Sequence, residues 1–499
     1  MIPTPEQAQA LDLFDTGDRL VIQARAGAGK TSTLSLLARN AGYDDKRVTY
    51  VAFNKQLVVD AAGKFGRNTT CSTAHSLAYQ AVGRRYAHRM AGSRRMHSEA
   101  IAKVLGIDPI DLTTHEGHRH LTAKFLAGHV MRTVSRFCQT ADPQITLDHF
   151  PRIKGIDKTI IGADGLLHPG TANNVEVAKE LLPKARKAWA DLADRNGRLQ
   201  YKHEHYLKLW QLDEKPFIFA DVILWDEVQD ASDVMLDIVM RQPHAQLVAV
   251  GDSEQAIYEW AGAVDALTKI PDAQQAWLTQ SFRFGPRIAR TANLVLDWLA
   301  AEPHVRGTSS ILDTVAHQVN PDAILCRSNG KALEAVLDAI DHEIPVALVG
   351  GADDLVRFAW AAKDLKEGRR TDHPELACFA NWAEVLVYVE EDPQGGELKL
   401  LVDLVQRYSP GLITAMLHEC VDEANARLVV STAHKSKGRE WSTVKLAGDF
   451  PDVPPELVAE VDDSELRLLY VAVTRAKTGL DVESVPLFFN THEAVPTHV

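Results

Sequence analysis

The sequence predicts an α/β protein: two parallel sheets with helices on both faces, each interrupted by a mainly helical insertion. Two observations carry the expectation. Short apolar runs of strand length alternate with helix-period segments in two separate blocks of the chain. From about Ala81 to Arg198, by contrast, the periodicity is helical and the composition basic, with no strong strand. At 499 residues there is room for about three or four domains, each with its own core.

Taken in order, Thr4-Pro5-Glu6-Gln7 reads as a helix start, with a threonine cap, proline at the first helical position and glutamine three on. Leu20-Val21-Ile22 reads as a strand that runs into Ala24-Arg25-Ala26-Gly27-Ala28-Gly29-Lys30-Thr31 and then a helix, Ser32 to Arg39, stopping near Gly42. Strand, glycine-rich turn, Lys-Thr and helix form the phosphate-binding loop arrangement. Gly27 and Gly29 take backbone angles barred to other residues, so N–H groups can point at phosphate oxygens. The helix N-terminus adds its dipole. Lys30 would reach the terminal phosphates, and Thr31 would hold Mg²⁺. Ala24 stands where the pattern has its first glycine.

A strand over Val48 to Phe53 and a strand-to-helix junction over Cys71 to Ala78 follow. Strand-type runs return at Val222 to Trp225 and at Gln246 to Val250. After Ser281 the alternation resumes, with a helix from Pro286. Further strands are expected at Ala323 to Cys326, Val346 to Val349, Leu428 to Ser431 and Thr443 to Leu446. The expected division is 1–80 with 199–280 as one lobe, 81–198 as its insertion, 281–365 with 426–499 as the second lobe, and 366–425 as a reduced insertion.

Composition narrows the class. Hydrophobic content of 45% and charged content of 24% are ordinary for a soluble globular chain. No apolar run approaches the roughly 20 residues of a membrane span, and Met1-Ile2-Pro3-Thr4 is no signal peptide. Five scattered cysteines point to a reducing compartment without a zinc ribbon or iron–sulfur cluster. The net charge of −13 argues mildly against nucleic acid, yet Arg84, Arg85, Arg89, Arg94, Arg95, Lys103, Arg119, Lys124 and Arg132 form a basic stretch. That stretch is either a solvated helical face or a phosphate-backbone contact. His115, Glu116, His118 and His120 lack metal-binding spacing, and so do His203 and His205, so both groups read as polar surface.

Ile223-Leu224-Trp225-Asp226-Glu227-Val228-Gln229-Asp230 is an apolar strand ending in adjacent carboxylates. A nucleotide hydrolase needs one carboxylate for Mg²⁺, which suits Asp226, and one to polarise water, which suits Glu227. The run from Gly251 to Ala263 adds Gln255, Tyr258 and Trp260.

Together these segments resemble superfamily 1 helicases of the UvrD/Rep type, and nearly the whole chain can be brought into register with them. The resemblance implies two RecA-like lobes that bind ATP between them. Gln7 matches the adenine-reading glutamine, and Ala24 to Thr31, followed by Ser32, matches motif I. Phe53-Asn54-Lys55 resembles motif Ia and Thr73-Ala74-His75-Ser76-Leu77 motif Ib, both of which lie along single-stranded DNA in the family. Asp226 to Asp230 resembles motif II. In motif III, Gln255 would couple the γ-phosphate to the DNA face, where Tyr258 and Trp260 lie and where Trp260 would stack on a base. Gln280-Ser281-Phe282-Arg283 resembles motif IV, with Phe282 on adenine and Arg283 an arginine finger. Cys326-Arg327-Ser328-Asn329 resembles motif IVa, and Arg327 and Asn329 are carried over as strand contacts. Thr432 to Trp441 resembles motif V, with Glu440 at the nucleotide's sugar and Thr432 and His434 at DNA. Leu469 to Lys477 resembles motif VI, with Arg475 the second finger.

The expected catalytic set is therefore Lys30, Asp226, Glu227, Gln255, Arg283 and Arg475. The activity implied is ATP- and Mg²⁺-dependent 3′-to-5′ DNA unwinding in replication, repair or recombination. The rival is a translocase on single strands that strips nucleoprotein without processive unwinding, and an ATP-gated clamp is a weaker alternative. Partners implied are single-stranded DNA, single-strand/duplex junctions and replication or recombination proteins; no membrane is implied, and the chain is expected to be a monomer. The Ala- and Arg-rich composition hints at a prokaryotic or phage cytoplasm. Tyr206-Leu207-Lys208-Leu209-Trp210-Gln211-Leu212 looks most like the F-box helicase branch, although motif I begins too near the N-terminus for an F-box. The stretch between Ala361 and Arg427 is short for the family's 2B insertion.

Overall fold

Strands with few polar residues are stable only where both faces are covered, and the chain supplies two such sheets. The computed structural model describes residues 2–52, 55–90, 96–114, 117–153, 156–157, 159–161, 167–169, 172–258, 265–351, 353–371, 381–391 and 396–488, with His373, Leu376 and Phe379 besides. The first sheet has six parallel strands in the order Gln274–Leu278, Leu20–Ala24, Gln246–Gly251, Val222–Asp226, Val48–Ala52, Thr69–Thr73. The second, also six parallel strands, runs Thr314–Val315, Ala476–Asp481, Trp441–Leu446, Ala323–Cys326, Leu428–Thr432, Val346–Leu348. These are two RecA-like lobes.

Alternation along each strand sends neighbouring side chains to opposite faces. In the first sheet Leu20, Ile22 and Leu224 pack with Leu34 and Leu37 of the helix Lys30–Tyr43. Val21, Ile223 and Trp225 face the other way, into a cluster that continues through Leu126, Val130 and Leu181 of the insertion. The insertion therefore shares one core with its lobe. The second insertion does the same: Leu376, Trp382 and Val402 join Leu333 and Val336 of the helix Asn329–Asp341 in a single cluster.

The first insertion is mainly helical, and it adds short strands to the expectation of helices with no strong strand. It holds the helices Ala123–Phe137 and Ala172–Ala193, but also two antiparallel hairpins, Ile110–Thr114 with Gly117–Leu121 and Thr159–Ile161 with Leu167–Pro169. Nor is its basic stretch one solvated face. Arg89 is buried and donates to the carbonyls of Asp191, Leu192, Asp194 and Leu199. Arg119 pairs with Glu384 of the second insertion, and Arg84 is exposed. Arg94 and Arg95 lie outside the described residues. Three strands outside the expected set, Gln274–Leu278, Thr314–Val315 and Ala476–Asp481, are too short or too polar to stand out as apolar runs.

Candidate functional site

The phosphate loop leaves the strand Leu20–Ala24 and enters the helix Lys30–Tyr43 through Gly29, whose φ is 82°. No side chain caps that helix, so its first-turn N–H groups and positive dipole end remain turned to the loop. Thr31 and Ser32 lie half-buried in this first turn. Gly27 has φ 73° and a second reason to be glycine: a Cβ there would meet Ser281 Oγ at 2.5 Å and Arg283 Cβ at 2.7 Å. The backbone N–H of Phe282 donates to Gly27 O at 2.9 Å, so the loop is in direct contact with the segment that opens the second half of the chain. Ala24, Ala26 and Ala28 are buried. Arg25 points away from the loop: its guanidinium meets Asp252 Oδ1 at 3.2 Å and the carbonyl of Pro303 at 2.8 Å.

At the end of the strand Val222–Asp226 the two carboxylates diverge because Glu227 is left-handed, with φ 54°. That conformation costs a non-glycine residue on the order of 1–3 kcal/mol. Asp226 accepts from Tyr50 OH at 2.8 Å and from the Glu227 N–H at 3.0 Å. Glu227 meets Lys30 Nζ at 2.7 Å and accepts from Gln229 Nε2 at 2.6 Å. Burial and the adjacent Glu227 carboxylate push Asp226 above the usual carboxylate range. Burial acts on Glu227 in the same sense, but Lys30 and Lys437 outweigh it and hold that carboxyl low.

From Glu227 the polar chain crosses to the second lobe. Gln229 Oε1 accepts from the Asp252 N–H at 3.1 Å, and Asp252 Oδ2 accepts from Gln255 Nε2 at 2.6 Å. Gln255 Oε1 accepts from Arg475 Nη2 at 3.2 Å. Arg475 is buried, and burial together with nearby Arg283 pulls its guanidinium down to about 9. Arg283 pairs with Glu440 at 2.8 Å and donates to Thr474 O at 3.0 Å; Lys477 holds the other oxygen of Glu440 at 2.7 Å. A second crossing lies beside the first. Lys437 Nζ meets Asp230 Oδ1 at 2.7 Å and also bonds the Gln255 carbonyl, with side chains only 9% and 3% exposed. Burial drives Asp230 up to about 6 although Lys437 opposes it.

Behind the loop, Gln7 completes the expected capping box with Thr4, and its Nε2 donates to Thr33 Oγ1 at 3.1 Å. A Cβ on Gly29 would lie 3.7 Å from the Phe282 ring and 3.8 Å from Gln7 Nε2, so these residues converge. Phe282 is 52% exposed.

Of the expected strand-contacting residues, Lys55 is exposed at the start of the helix Lys55–Ala62. Thr73 caps the helix Ala74–Ala81, which carries His75. Thr432 caps the short helix Ala433–Ser436, which carries His434, and the His434 carbonyl accepts from Tyr258 OH at 3.0 Å. Asn329 begins its helix. The Arg327 guanidinium is held by Glu465 through contacts of 2.6 and 2.7 Å. Phe53, Asn54 and Trp260 lie outside the described residues. His205 is an internal cap, accepting from the Lys202 N–H at 3.0 Å, and His203 bonds Tyr206 OH at 2.9 Å. Tyr50, Asp252 and Lys437 carry the network without having been singled out. Asp252 and Lys437 stand inside the quoted motifs, whereas Tyr50 is one strand residue among several and gives no signal.

A phosphate loop, carboxylates at the end of the next strand but one in the same sheet and two arginines from the second half of the chain define a P-loop protein of two RecA-like lobes. The AAA domain family matches residues 7–261, and the UvrD-like helicase C-terminal domain matches residues 427–482. The chain belongs to the UvrD-like superfamily 1 helicases. It is 30% identical to F-box DNA helicase protein 1 of Schizosaccharomyces pombe over 96% of this chain and 57% of that protein. To F-box DNA helicase 1 of Gallus gallus it is also 30% identical, over 96% of this chain and 48% of that one. A probable DNA helicase II homolog of Mycoplasma genitalium is 28% identical over 55% of this chain and 56% of its own. The chain thus spans about half the length of the first two relatives. Both are eukaryotic, which lends no support to a prokaryotic or phage origin. No helix among the described residues is long and apolar enough to cross a membrane.

Proposed function

We propose that the chain is an ATP-dependent DNA helicase that moves 3′ to 5′ along single-stranded DNA and opens duplex at single-strand junctions. The observation that carries the reading is the continuous polar chain from Lys30 through Glu227, Gln229, Asp252 and Gln255 to Arg475, which spans both lobes. Phosphoryl transfer is mostly positioning and charge stabilisation, so a site shared by two lobes ties hydrolysis to their relative movement.

In this reading ATP phosphates lie on the loop backbone and Lys30. Arg283 and Arg475 supply positive charge from the second lobe, and Glu227 orients and deprotonates the attacking water. Phe282 and Gln7 would take adenine, and Glu440 the sugar. Mg²⁺ suits Thr31 and Asp226, a hydroxyl and a carboxylate being hard oxygen donors. Asp226 is buried beside Glu227, whose carboxylate is paired with Lys30, so a metal at Asp226 would balance the remaining negative charge. When bound, Mg²⁺ neutralises phosphate charge. Lys55, Thr73, His75, Tyr258, Asn329, Thr432 and His434, with Phe53, Asn54 and Trp260, would track the strand, and the Glu465 pairing suits Arg327 better to holding that surface in place. The lobes are taken as 1–80 with 199–280 and 281–365 with 426–499, acting as a monomer in replication, repair or recombination. A translocase that remodels nucleoprotein is the second reading, favoured by the small second insertion packed into the core of its own lobe.

The test is strand displacement on duplexes with a 3′ or a 5′ tail, with ATP hydrolysis measured with and without single strands. Displacement from the 3′ tail alone is expected. Stimulated hydrolysis without displacement favours the translocase, and hydrolysis indifferent to DNA overturns both readings.

A further inference from the structure

The first lobe carries a cleft of about 940 Å³ whose lining includes Lys55, Thr73, Arg84 and His203, and it belongs to the strand-contacting surface proposed above. A different cluster lies where the first helix meets the chain as it leaves the first sheet. There the carboxylate of Glu6, half-buried in the first turn of the helix Pro5–Phe14, gathers four donors. Glu6 Oε2 accepts from the Thr279 N–H at 2.9 Å and from the Gln280 N–H at 3.4 Å. Glu6 Oε1 accepts from Thr279 Oγ1 at 2.5 Å and from Arg306 Nη2 at 2.6 Å. Arg306 Nε in turn donates to Thr279 Oγ1 at 3.0 Å. Burial alone would raise the Glu6 carboxyl, but the Thr279 and Gln280 bonds and the Arg306 charge outweigh it and hold the group below its usual range. A carboxylate has about four lone-pair sites, and here they are taken. Glu6 therefore acts through what it holds.

What it holds is both sides of the place where Gln7 and Phe282 converge over Gly29. Gln7 is the next residue of the same helical turn. Successive helical residues point about 100° apart, so a clamp on residue 6 fixes the direction of residue 7. On the other side, Thr279 and Gln280 follow the strand Gln274–Leu278 and lead directly into Phe282. That run is pinned residue by residue. The Ser281 N–H donates to Arg306 O at 2.7 Å, and Thr308 Oγ1 donates to Ser281 O at 2.7 Å. An exposed ion pair by itself would hold little. Backbone and hydroxyl donors on the same carboxylate make this one directional.

We propose that Glu6, with Arg306 behind it, is a positioning residue that sets the spacing between Gln7 and Phe282 and so decides how tightly and how selectively the adenine base is held. The inference rests on the reading that these two residues take adenine. It adds to that reading two side chains, 300 positions apart, that act through others and not on the nucleotide.

The experiment measures steady-state hydrolysis of ATP and GTP by the full chain with single-stranded DNA, and inhibition by inorganic tripolyphosphate, which has phosphates and no base. Glu6→Ala is expected to raise KM for ATP roughly 3–10-fold with kcat nearly unchanged, since a base contact is loosened and the chemistry is not. The preference for ATP over GTP should shrink. The inhibition constant of tripolyphosphate should stay at the wild-type value, which shows the phosphate loop to be folded. Glu6→Gln, which keeps an oxygen for the Thr279 N–H, should recover part of the loss, and Arg306→Ala should give a smaller loss of the same kind. An unchanged KM for ATP in Glu6→Ala overturns the inference, whether or not that variant melts earlier. A parallel weakening of ATP and tripolyphosphate also overturns it, because the whole site is then disturbed. A wild type that hydrolyses ATP and GTP alike removes instead the reading that Gln7 and Phe282 take adenine.

Discussion

The polar network between the lobes and the cleft on the first lobe handle charge in opposite ways. In the network the ions are held against a partner: Arg25 against Asp252 and Lys437 against Asp230 in the interior, and Lys30 against Glu227 half-buried. In the cleft Lys55, Arg84 and His203 are exposed, and no carboxylate lines it among the described residues. The contrast follows from what each must do. Bond-breaking needs charges fixed in advance in a dry place, where each is strong and none has to reorganise. Holding a strand that slides needs cations whose counterions exchange freely, at small cost per contact.

Changes in the network should therefore be large and selective, and changes in the cleft modest and graded. The largest effect is expected for Glu227→Gln. DNA-stimulated phosphate release should fall about 10²–10⁴-fold, the usual worth of a general base. Nucleotide affinity, read by titration of a fluorescent ATP analogue, should hold or tighten, because Lys30 is no longer held by a carboxylate. Equal losses in binding and rate would show that the network is mere scaffolding.

Lys437→Met comes next. It strands the Asp230 carboxylate in the interior, and breaking a buried pair from one side costs roughly 3–5 kcal/mol. Urea unfolding should register the loss, and adding Asp230→Asn should recover much of it. Asp230 already titrates near 6 in the folded chain, above its ordinary 3.8, so the fold takes up a proton between those values. A group of that kind favours folding at low pH and ceases to do so as pH rises through its folded value. Without Lys437 the carboxyl rises further, so the deficit of the variant should be smaller at pH 5 than at pH 8. A deficit that grows on acidification would reverse the assignment.

Phe282→Ala is the mildest of the three. Losing one base-stacking ring removes roughly 1 kcal/mol or more, which is at least about fivefold in KM for ATP, with kcat nearly unchanged. A fall in kcat alone would move Phe282 from binding to chemistry.

The same contrast decides how much the sequence reveals. Residues of the network sit at short fixed spacings because a strand end or helix start must present them together. Ala24 to Thr31, Asp226 to Asp230 and the run from Gly251 stand out for that reason. The apolar inner strands were equally legible, since burial on both faces demands continuous Val, Ile and Leu. Gln274–Leu278 and Ala476–Asp481 were not: pairing within the sheet decides them, and their polar residues hide it. The hairpins of the first insertion escaped in the same way, being too short and polar to break a helical pattern. The cleft is assembled from Arg84 and His203, far apart in the chain, and no local spacing announces such a pair. Arg25 and Arg327 show the converse: each stands inside a motif, and each guanidinium is held by an internal carboxylate.

The 2.7 Å contact between Lys30 and Glu227 has a consequence for the order of events. An ammonium on the carboxylate and a carboxylate on the ammonium silence each other, so in the proposed mechanism the base is gagged while no phosphate is near. Arriving phosphate competes for the lysine, and the carboxylate is released at the moment there is something for it to act on. In that mechanism the substrate would arm the base on which its own cleavage depends.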